Sequence, residues 1–278
     1  MNFFDNHTHS TFSPDSSATV RDSILTAMRQ GNLMGIAITD HYDTDAPSRD
    51  QEFLFNPAKQ QEEILKVSFD LQEEMQQRGF KVMKGIEVGL QPQCMEKIKA
   101  FTAQYNFDTV IGSIHFVDGL DPYMGTYYTD KDFKKAYSNT LEIMYRCITD
   151  YADFDILGHY DYVARYSPYG PGCRDITMAQ FGDYIEPILQ YLAHNGKTFE
   201  LNTKTYKDHK GYIPLLDTQV LKRFRELGGE ALSLGSDSHN TQRYADEFEK
   251  YAYIAKQCGF RYLVYFQNRK PQYYKIDV

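Results

Sequence analysis

Histidine and carboxylate side chains recur at the ends of short apolar segments along this 278-residue chain. The first example is His7-Thr8-His9, which follows the apolar pair Phe3-Phe4. Because side chains alternate between the two faces of a strand, His7 and His9 would project in the same direction. Neutral imidazole is a common ligand of divalent transition ions, so this pair is half of a typical metal site.

The other predicted strands end in the same kinds of side chain. Strands are predicted at residues 2–6, 35–39, 81–86, 108–114, 154–158, 197–201 and 231–235, with a further candidate at 261–265. Six of them have His, Asp or Glu at or directly after the carboxyl end, namely His7, His9, Asp40, His41, Glu87, His115, His159, Asp237 and His239. Asp15 lies in the loop after the first strand. Six of the eight histidines therefore occupy one kind of position, which predicts that they meet.

Taken singly, these residues have ordinary structural explanations. A histidine at a strand end is often a hydrogen-bonded loop residue, Asp40 and Asp237 could cap the following helices, and Asp15 lies in the turn Ser13-Pro14-Asp15. Jointly they are harder to explain, because unpaired imidazoles and carboxylates at one mouth of a fold would be costly without cations between them. The set therefore predicts a metal centre.

The order of elements predicts how these residues are positioned. Helical periodicity fills the intervals between strands, for example at residues 64–75, 133–148 and 244–258, whereas Pro187 predicts a kink or a late start in 177–195. Strand–helix alternation implies parallel strands with right-handed crossovers, and seven or eight units in this length favour a closed barrel. We predict a single α/β domain over residues 1–278, with 116–130 as a long loop over one end.

Composition excludes several other classes. The net charge of −8 and the lack of a basic stripe argue against nucleic acid as a partner. No apolar run reaches the roughly 18 residues of a membrane span, and the polar, acidic N-terminus predicts a cytoplasmic protein. The four cysteines form no C-x-x-C pair, so they predict reduced thiols and not a thiolate zinc site.

The donor set also predicts the metal chemistry. Nine candidate ligands are too many for one ion and suit two or three. Nitrogen and oxygen donors without thiolate fit zinc, manganese or iron and leave the choice open. Glu87, on a middle strand, is suited to bridge two ions, which would lower the pKa of a shared water and supply hydroxide at neutral pH.

These motifs together resemble the polymerase and histidinol phosphatase (PHP) family of metal-dependent phosphoesterases. The resemblance rests on His7-x-His9, Asp40-His41, Glu87, Ser113-x-His115, Gly158-His159 and Ser236-Asp237-x-His239. The segments 156–161, 200–203 and 265–271, with Arg165-Tyr166, resemble its histidinol-phosphatase branch. The resemblance implies a distorted TIM-like barrel of seven parallel strands, a trinuclear site, and hydrolysis of L-histidinol phosphate to L-histidinol and phosphate in histidine biosynthesis.

The resemblance also implies how the ligands divide among the ions. The first metal would take His7, His9, Glu87 and Asp237, the second Glu87, His115 and His159, and the third Asp15, His41 and His239. Asp15 stands where many relatives have histidine. Asp237, His41 or a metal-bound water would protonate the leaving alkoxide.

Binding a phosphate dianion also requires a cationic side chain. Arg165 is the first candidate, because a guanidinium can donate hydrogen bonds to two phosphate oxygens at once. Related histidinol phosphatases carry a further arginine in the loop after 200–203. Here that loop contains lysines, and Lys207 or Lys210 would substitute, with His209 as another candidate for substrate contact.

Three alternatives remain at this point. A PHP phosphoesterase could act on another small phosphate ester or on oligonucleotides. An amidohydrolase-type barrel also opens with His-x-His and ends with Asp, but it usually bridges its metals with a modified lysine, and here Glu87 offers the bridge. A non-catalytic metal-binding module would be indicated by missing ligands, and none of the expected positions is missing.

Overall fold

The fold is a nearly closed barrel of parallel strands surrounded by helices, seen in a computed structural model that describes residues 2–44, 55–209 and 211–278. The strands are β1 (Phe3–Thr8), β2 (Leu33–Ile38), β3 (His41–Tyr42), β4 (Lys81–Gly89), β5 (Thr109–Ser113), β6 (Ile156–Leu157), β7 (Thr198–Asn202), β8 (Leu232–Gly235), β9 (Tyr262–Gln267) and β10 (Lys270–Lys275). Parallel pairing follows the order β1-β2-β4-β5-β6-β7-β8, and the two-residue β3 pairs with β4. The prediction of a barrel with seven parallel strands is confirmed.

The barrel closes between its first and eighth strands, at their carboxyl ends. Thr8 and Ser238 form a parallel bridge. The backbone N–H of His9 donates to the Ser238 carbonyl at 2.9 Å, and the N–H of Asp237 donates to the His7 carbonyl at 2.8 Å. The same hydrogen bonds that close the barrel therefore hold three predicted ligands side by side.

The helices lie between the strands, as the periodicity predicts. They are α1 (Val20–Arg29), α2 (Pro57–Asp70), α3 (Gln72–Arg78), α4 (Met95–Thr102), α5 (Phe133–Asp150), α6 (Tyr162–Arg165), α7 (Met178–His194), α8 (Thr218–Glu226) and α9 (Phe248–Gln257). Side-chain oxygens of Thr19, Asn56, Asp132, Thr177 and Asp217 accept backbone N–H groups at the starts of α1, α2, α5, α7 and α8. Such caps satisfy amides that a helix leaves unpaired and fix where each helix begins.

Two helical predictions differ in detail from the structure. The pattern over 64–75 is divided into α2 and α3 at Leu71, and it ends at Gly79, whose φ of 62° is typical of a helix stop. Helix α7 continues through Pro187, and its non-helical residue is Phe181, where φ is −129°. The predicted kink is therefore present, but it lies six residues before the proline.

The candidate strand at 261–265 does not join the parallel barrel. It corresponds to β9, which forms an antiparallel hairpin with β10 across the turn residues Asn268 and Arg269. The hairpin packs on the amino end of the barrel, where Asn6 donates to the Val264 carbonyl and Phe4 stacks on Tyr265 with ring centroids 4.4 Å apart. It closes the end opposite to the predicted site.

The carboxyl end of the barrel is covered by the predicted long loop. Between residues 116 and 130 the chain forms two short 3₁₀ turns, Pro122–Met124 and Thr126–Tyr128. This loop brings Asp121 and Tyr123 over the strand ends. Among the described residues, no helix is both long enough and apolar enough to cross a membrane.

Candidate metal centre and catalytic cavity

A cavity of about 320 Å³ opens at the carboxyl end of the barrel. It is lined by Asp15, His41, Asp43, His115, Asp121, Tyr123, His159, Tyr162, Arg165, Tyr166, Lys204, Asp237 and His239. Active sites of parallel barrels form at this end, because the loops after the strands converge there. The floor of the cavity is formed by the predicted ligands.

Glu87 lies at the centre of that floor, at the end of β4, and is fully buried. Its Oε2 is 2.8 Å from His41 Nδ1, 3.2 Å from His7 Nε2 and 3.5 Å from His9 Nε2. Its Oε1 is 2.8 Å from His159 Nε2 and 3.1 Å from His115 Nε2. Five imidazoles from four strand ends therefore surround one carboxylate.

Asp237 is the second carboxylate of the floor, and its backbone adopts a φ of 50°. The left-handed region costs a non-glycine residue on the order of 1 kcal/mol, so the surrounding contacts must hold it there. Oδ1 lies 3.0 Å from Lys204 Nζ and 3.5 Å from His9 Nε2, and Oδ2 lies 2.9 Å from Arg165 Nη1. Burial would raise the pKa of Asp237, but Lys204 and Arg165 hold it well below its usual range.

A third group of predicted ligands lies nearer the solvent. Nε2 of His239 is 3.3 Å from Asp15 Oδ2 and 3.3 Å from His41 Nε2. Oδ1 of Asp15 is 3.8 Å from His41 Nε2, and the Asp15 side chain is 45% exposed. The structure thus brings all nine predicted ligands into one cluster, with Asp15 at its outer edge.

Carboxylates and hydroxyls behind the ligands fix the orientation of the imidazole rings. Glu200 Oε1 is 2.8 Å from His7 Nδ1, and Asp43 Oδ1 is 2.8 Å from His115 Nδ1. Ser13 Oγ is 3.0 Å from His9 Nδ1. A partner on one ring nitrogen selects the tautomer and directs the other nitrogen at a metal.

The buried atoms of the floor fit divalent ions. Among the described residues, His7 Nε2, His9 Nε2, His41 Nδ1 and Glu87 Oε2 are buried without a hydrogen-bond partner. Leaving such polar atoms unpaired is costly, whereas a cation between them would satisfy all four. Groups of three donors within 4.8 Å of one another include His7–His9–Glu87, Glu87–His115–His159 and His9–His41–His239. Nitrogen and oxygen donors of this kind fit zinc, manganese or iron.

The charged groups of this cluster shift one another's pKa values. Burial would raise the pKa of Glu87, but the imidazoles of His7, His115 and His41 hold it well below its usual range. Burial would lower the pKa of His7 and of His115, yet the carboxylates that contact each ring raise it well above its usual value. A metal ion that binds these rings must therefore displace protons.

Arg165 lines the cavity from α6 and is almost fully buried. Its Nε and Nη2 donate to Thr205 Oγ1, Nη2 also donates to Asn202 Oδ1, and Nη1 donates to Asp237 Oδ2. A guanidinium has five N–H groups. Four are used by these contacts, and the Tyr166 side chain is a further hydrogen-bond partner of the guanidinium, so Arg165 is held firmly at the cavity wall.

The predicted lysines of the following loop have different positions. Lys207 lies outside the cavity lining and pairs with Asp246, with 2.9 Å between Nζ and Oδ2. His209 also lies outside the lining, with Nε2 3.2 Å from the Lys204 carbonyl. Lys210 lies outside the described residues. Of the loop lysines that the structure describes, Lys204, directly after the 200–203 motif, is the one that lines the cavity.

Four charged residues of the site were not predicted individually: Asp43, Asp121, Glu200 and Lys204. Glu200 and Lys204 lie in or beside the 200–203 motif, so their proximity to a strand end was the available signal. Asp43 follows Asp40-His41 closely in the chain. Asp40 itself accepts hydrogen bonds from Ser10, Ser13 and Gln60, and it supports the loop that carries the ligands.

Comparison with known sequences gives a consistent match. A sequence model of the PHP domain matches residues 5–204. The histidinol-phosphatase of Lactococcus lactis subsp. lactis is 30% identical over 271 residues, which cover 97% of this chain and 96% of the relative. A Clostridium acetobutylicum protein described as a probable histidinol-phosphatase is 31% identical, over 97% of this chain and 99% of the relative.

Comparison with solved structures agrees. The histidinol phosphate phosphatase of Lactococcus lactis subsp. lactis, solved with zinc, L-histidinol and phosphate, matches with a TM-score of 0.86 and 29% identity, covering 98% of this chain and 99% of that chain. A structure from Listeria monocytogenes matches with a TM-score of 0.72 and 17% identity, covering 89% of this chain and 99% of that chain. The second match shows the shared fold.

Proposed function

The chain belongs to the PHP domain family, and from this membership we propose that it is a metal-dependent phosphomonoester hydrolase acting on L-histidinol phosphate. The products are L-histidinol and phosphate. The histidinol-phosphatase relatives, which match almost the whole chain at about 30% identity, support this substrate. A role in histidine biosynthesis and a cytoplasmic location remain predictions.

One observation carries the proposal: a single buried carboxylate, Glu87, is surrounded by five imidazoles at the floor of a cavity, and its Oε2 and the facing nitrogens of His7, His9 and His41 have no hydrogen-bond partner among the described residues. Burying so many polar and charged groups with atoms left unpaired is costly, and bound divalent cations would compensate that cost. The bridging position of Glu87 also distinguishes the site from the amidohydrolase alternative, in which a modified lysine is expected.

We propose two or three divalent transition ions, held by the nine residues predicted from the sequence. His7, His9, Glu87 and Asp237 form the inner group, His115 and His159 join Glu87, and Asp15, His41 and His239 form the outer group. Such ions, when bound, lower the pKa of coordinated water and neutralise charge on a phosphoryl group. Zinc is present in the Lactococcus lactis structure and is the first metal to test.

The protein's own cations position the phosphate. Arg165 lines the cavity and places its positive charge there, while its Nη1 donates to Asp237 and holds that carboxylate in place. Lys204 Nζ, 3.0 Å from Asp237 Oδ1 and 3.1 Å from His239 Nδ1, is a second cation at the same wall. Both stabilise negative charge that increases on the phosphoryl oxygens in the transition state. We assign Lys204 the role predicted for Lys207 or Lys210. Asp237, His41 and a metal-bound water stay the candidates for the proton donor to the leaving alkoxide.

The test is a phosphate-release assay on the zinc-loaded protein. L-histidinol phosphate should be hydrolysed, and Glu87→Gln should reduce kcat/KM by at least about 1000-fold and release metal, since the substitution removes a charged ligand of two ions. Glu96→Gln, on an exposed carboxylate, is the matched control and should retain activity. Hydrolysis of oligonucleotides but not of L-histidinol phosphate would favour the nuclease alternative and overturn the proposed substrate.

A further inference from the structure

The guanidinium of Arg165 is held from behind the cavity wall by the hydroxyl of Thr205. Nη2 and Nε of Arg165 both donate to Thr205 Oγ1, at 2.9 and 3.3 Å. A hydroxyl has two lone pairs and one proton, so the guanidinium uses both lone pairs. Thr205 donates the remaining proton to Asp161, with 3.0 Å between Oγ1 and Oδ1. The orientation of the guanidinium therefore depends on a carboxylate that it does not contact directly.

Asp161 also fixes the backbone of the same arginine. It directly precedes α6, and its carbonyl accepts the backbone N–H groups of Ala164 at 2.9 Å and of Arg165 at 3.3 Å. The Asp161 side chain makes no capping hydrogen bond to this short helix, so its oxygens are available to Thr205. One residue therefore fixes the start of the Arg165 side chain through its carbonyl and the end of it through Thr205.

Asp161 and Thr205 are buried and lie outside the cavity lining, so neither would contact a substrate. Burial raises the pKa of the Asp161 carboxyl, and a hydrogen bond with Tyr206 and the charge of Arg165 lower it. The Tyr206 ring packs against the Tyr251 ring of α9, with centroids 5.1 Å apart. Burying a carboxylate is costly unless its oxygens accept hydrogen bonds, which the two hydroxyls provide here. The pair is thus a rigid support behind the cavity wall.

We propose that Thr205 and Asp161 are positioning residues for phosphate binding, because they hold the Arg165 guanidinium in one orientation at the cavity wall. The inference rests on the proposed function, which gives Arg165 its phosphate ligand. A long side chain loses rotamer freedom when it binds a ligand. A guanidinium that is already fixed by Thr205 loses less of this freedom, so phosphate binds more tightly than it would to a mobile arginine.

The experiment is calorimetric titration of the zinc-loaded protein with inorganic phosphate, with the zinc content of each variant matched by elemental analysis. Thr205→Val has a similar shape but no acceptor, and it should weaken phosphate binding at least about 10-fold, the loss expected for a hydrogen bond to a charged group. Thr205→Ser keeps the hydroxyl and should stay within about threefold of wild type. Thr149→Val, on an exposed threonine of α5, is the matched control. Equal phosphate affinity in Thr205→Val and Thr205→Ser, or tighter binding in Thr205→Val, would overturn the inference.

Variants of Asp161 test the same contact from its other end, and they serve also if Thr205→Val does not fold. Asp161→Ala should weaken phosphate binding about 10-fold, whereas Asp161→Asn keeps an oxygen that accepts from Thr205 and should lose less than about threefold. Adding Asp161→Ala to Thr205→Val should cause little further loss, because both act through Arg165. Asp183→Ala, on an exposed aspartate of α7, is the control. Fully additive losses would indicate general structural damage and would contradict the positioning role.

Phosphate binding is measured without turnover, so the inference and the proposed function can fail separately. Phosphate affinity that depends on Thr205, in a protein that does not hydrolyse L-histidinol phosphate, would contradict only the proposed reaction. Hydrolysis of L-histidinol phosphate with a phosphate affinity that is independent of Thr205 and Asp161 would contradict only the positioning role.

Discussion

Glu200 connects two metal-ligand candidates on different strands, since its Oε1 lies 2.8 Å from His7 Nδ1 and its Oε2 accepts the backbone N–H of His159 at 2.7 Å. The carboxylate therefore fixes the ring of one ligand and the backbone of the other. Gly235 lies directly against it, and a side chain there would overlap the Glu200 carboxylate and the His7 Cβ. Three strand ends are held in register by this contact.

The first prediction concerns Glu200→Gln. An amide keeps the shape but presents an N–H where His159 N–H or His7 Nδ1–H needs an acceptor. Loss of such a partner typically weakens metal binding 10- to 100-fold. Competition with a chelator, read by elemental analysis, measures the change, and the exposed Glu96→Gln provides the reference. Unchanged zinc affinity in Glu200→Gln would mean that His7 is oriented by its other contacts.

The second prediction separates two lysines of one loop. Lys204→Met should raise KM for L-histidinol phosphate about 10- to 100-fold, because a hydrogen bond to a charged group is lost next to Asp237. Lys207→Met removes an ion pair with Asp246 outside the cavity and should stay within about threefold of wild type. Steady-state kinetics of both variants measures the two KM values. A larger increase in KM in Lys207→Met than in Lys204→Met would assign the role to Lys207.

The third prediction concerns metal removal. A ligand that binds only the folded state stabilises it by about 2.7 kcal/mol at 100 times its Kd. Because the floor of the cavity contains unpaired buried donors, saturating zinc should raise Tm by several degrees over a chelated sample. Magnesium prefers oxygen ligands and should shift Tm much less. Identical calorimetric Tm values in zinc and in chelator would argue against the centre.

The fourth prediction concerns alkaline stability. Burial raises the pKa of Tyr151, whose hydroxyl donates to Thr102, to about 12. In the unfolded chain the tyrosine hydroxyl ionises near pH 10. Tyr151 therefore contributes stability that is complete below pH 10 and is lost as pH rises towards 12. The loss amounts to about 2–3 kcal/mol. Urea unfolding from pH 8 to 11 should show a shallower decline in Tyr151→Phe, whereas Tyr253→Phe, at a 55% exposed position, should follow wild type.

The fifth prediction concerns Gly235→Ala. The added methyl group would displace Glu200 or His7, and overpacking of this kind typically costs about 1–3 kcal/mol. We expect a lower free energy of unfolding together with weaker zinc binding. Gly170→Ala is the control, because a Cβ at that position has no neighbour within 4 Å. If Gly235→Ala binds zinc as tightly as wild type, the contact between Gly235 and Glu200 does not set the ligand geometry.

The ligands were predictable because parallel topology converts strand order into proximity. Six polar strand ends in one barrel must meet, whatever the details of packing, and they do. The roles of Asp43, Glu200 and Lys204 were not predictable in the same way, because each depends on which way a loop residue turns after its strand. Asp121 lies in a long loop whose path is determined by short 3₁₀ turns, which leave no periodic pattern.

The β9–β10 hairpin shows a second limit of sequence patterns. Its two turn residues, Asn268 and Arg269, have φ values of 51° and 61°, as in the turn type that usually contains glycine. Arg269 is held there by ion pairs with Asp153 and Asp155, and the Asn268 N–H donates to Asp108. Asparagine is favoured at the first of these positions, but at the second position tertiary contacts overcome the unfavourable local preference of Arg269, and the dipeptide itself does not predict those contacts.

The seam between Thr8 and Ser238 has a consequence for biosynthesis of the protein. During translation, His7 and His9 are synthesised long before the ribosome has added Asp237 and His239. During that interval the early imidazoles cannot form the finished cluster, and any ion they capture is coordinated incompletely. The complete cluster, and any metal binding that needs all of its ligands, must therefore wait until His239 has been added to the chain.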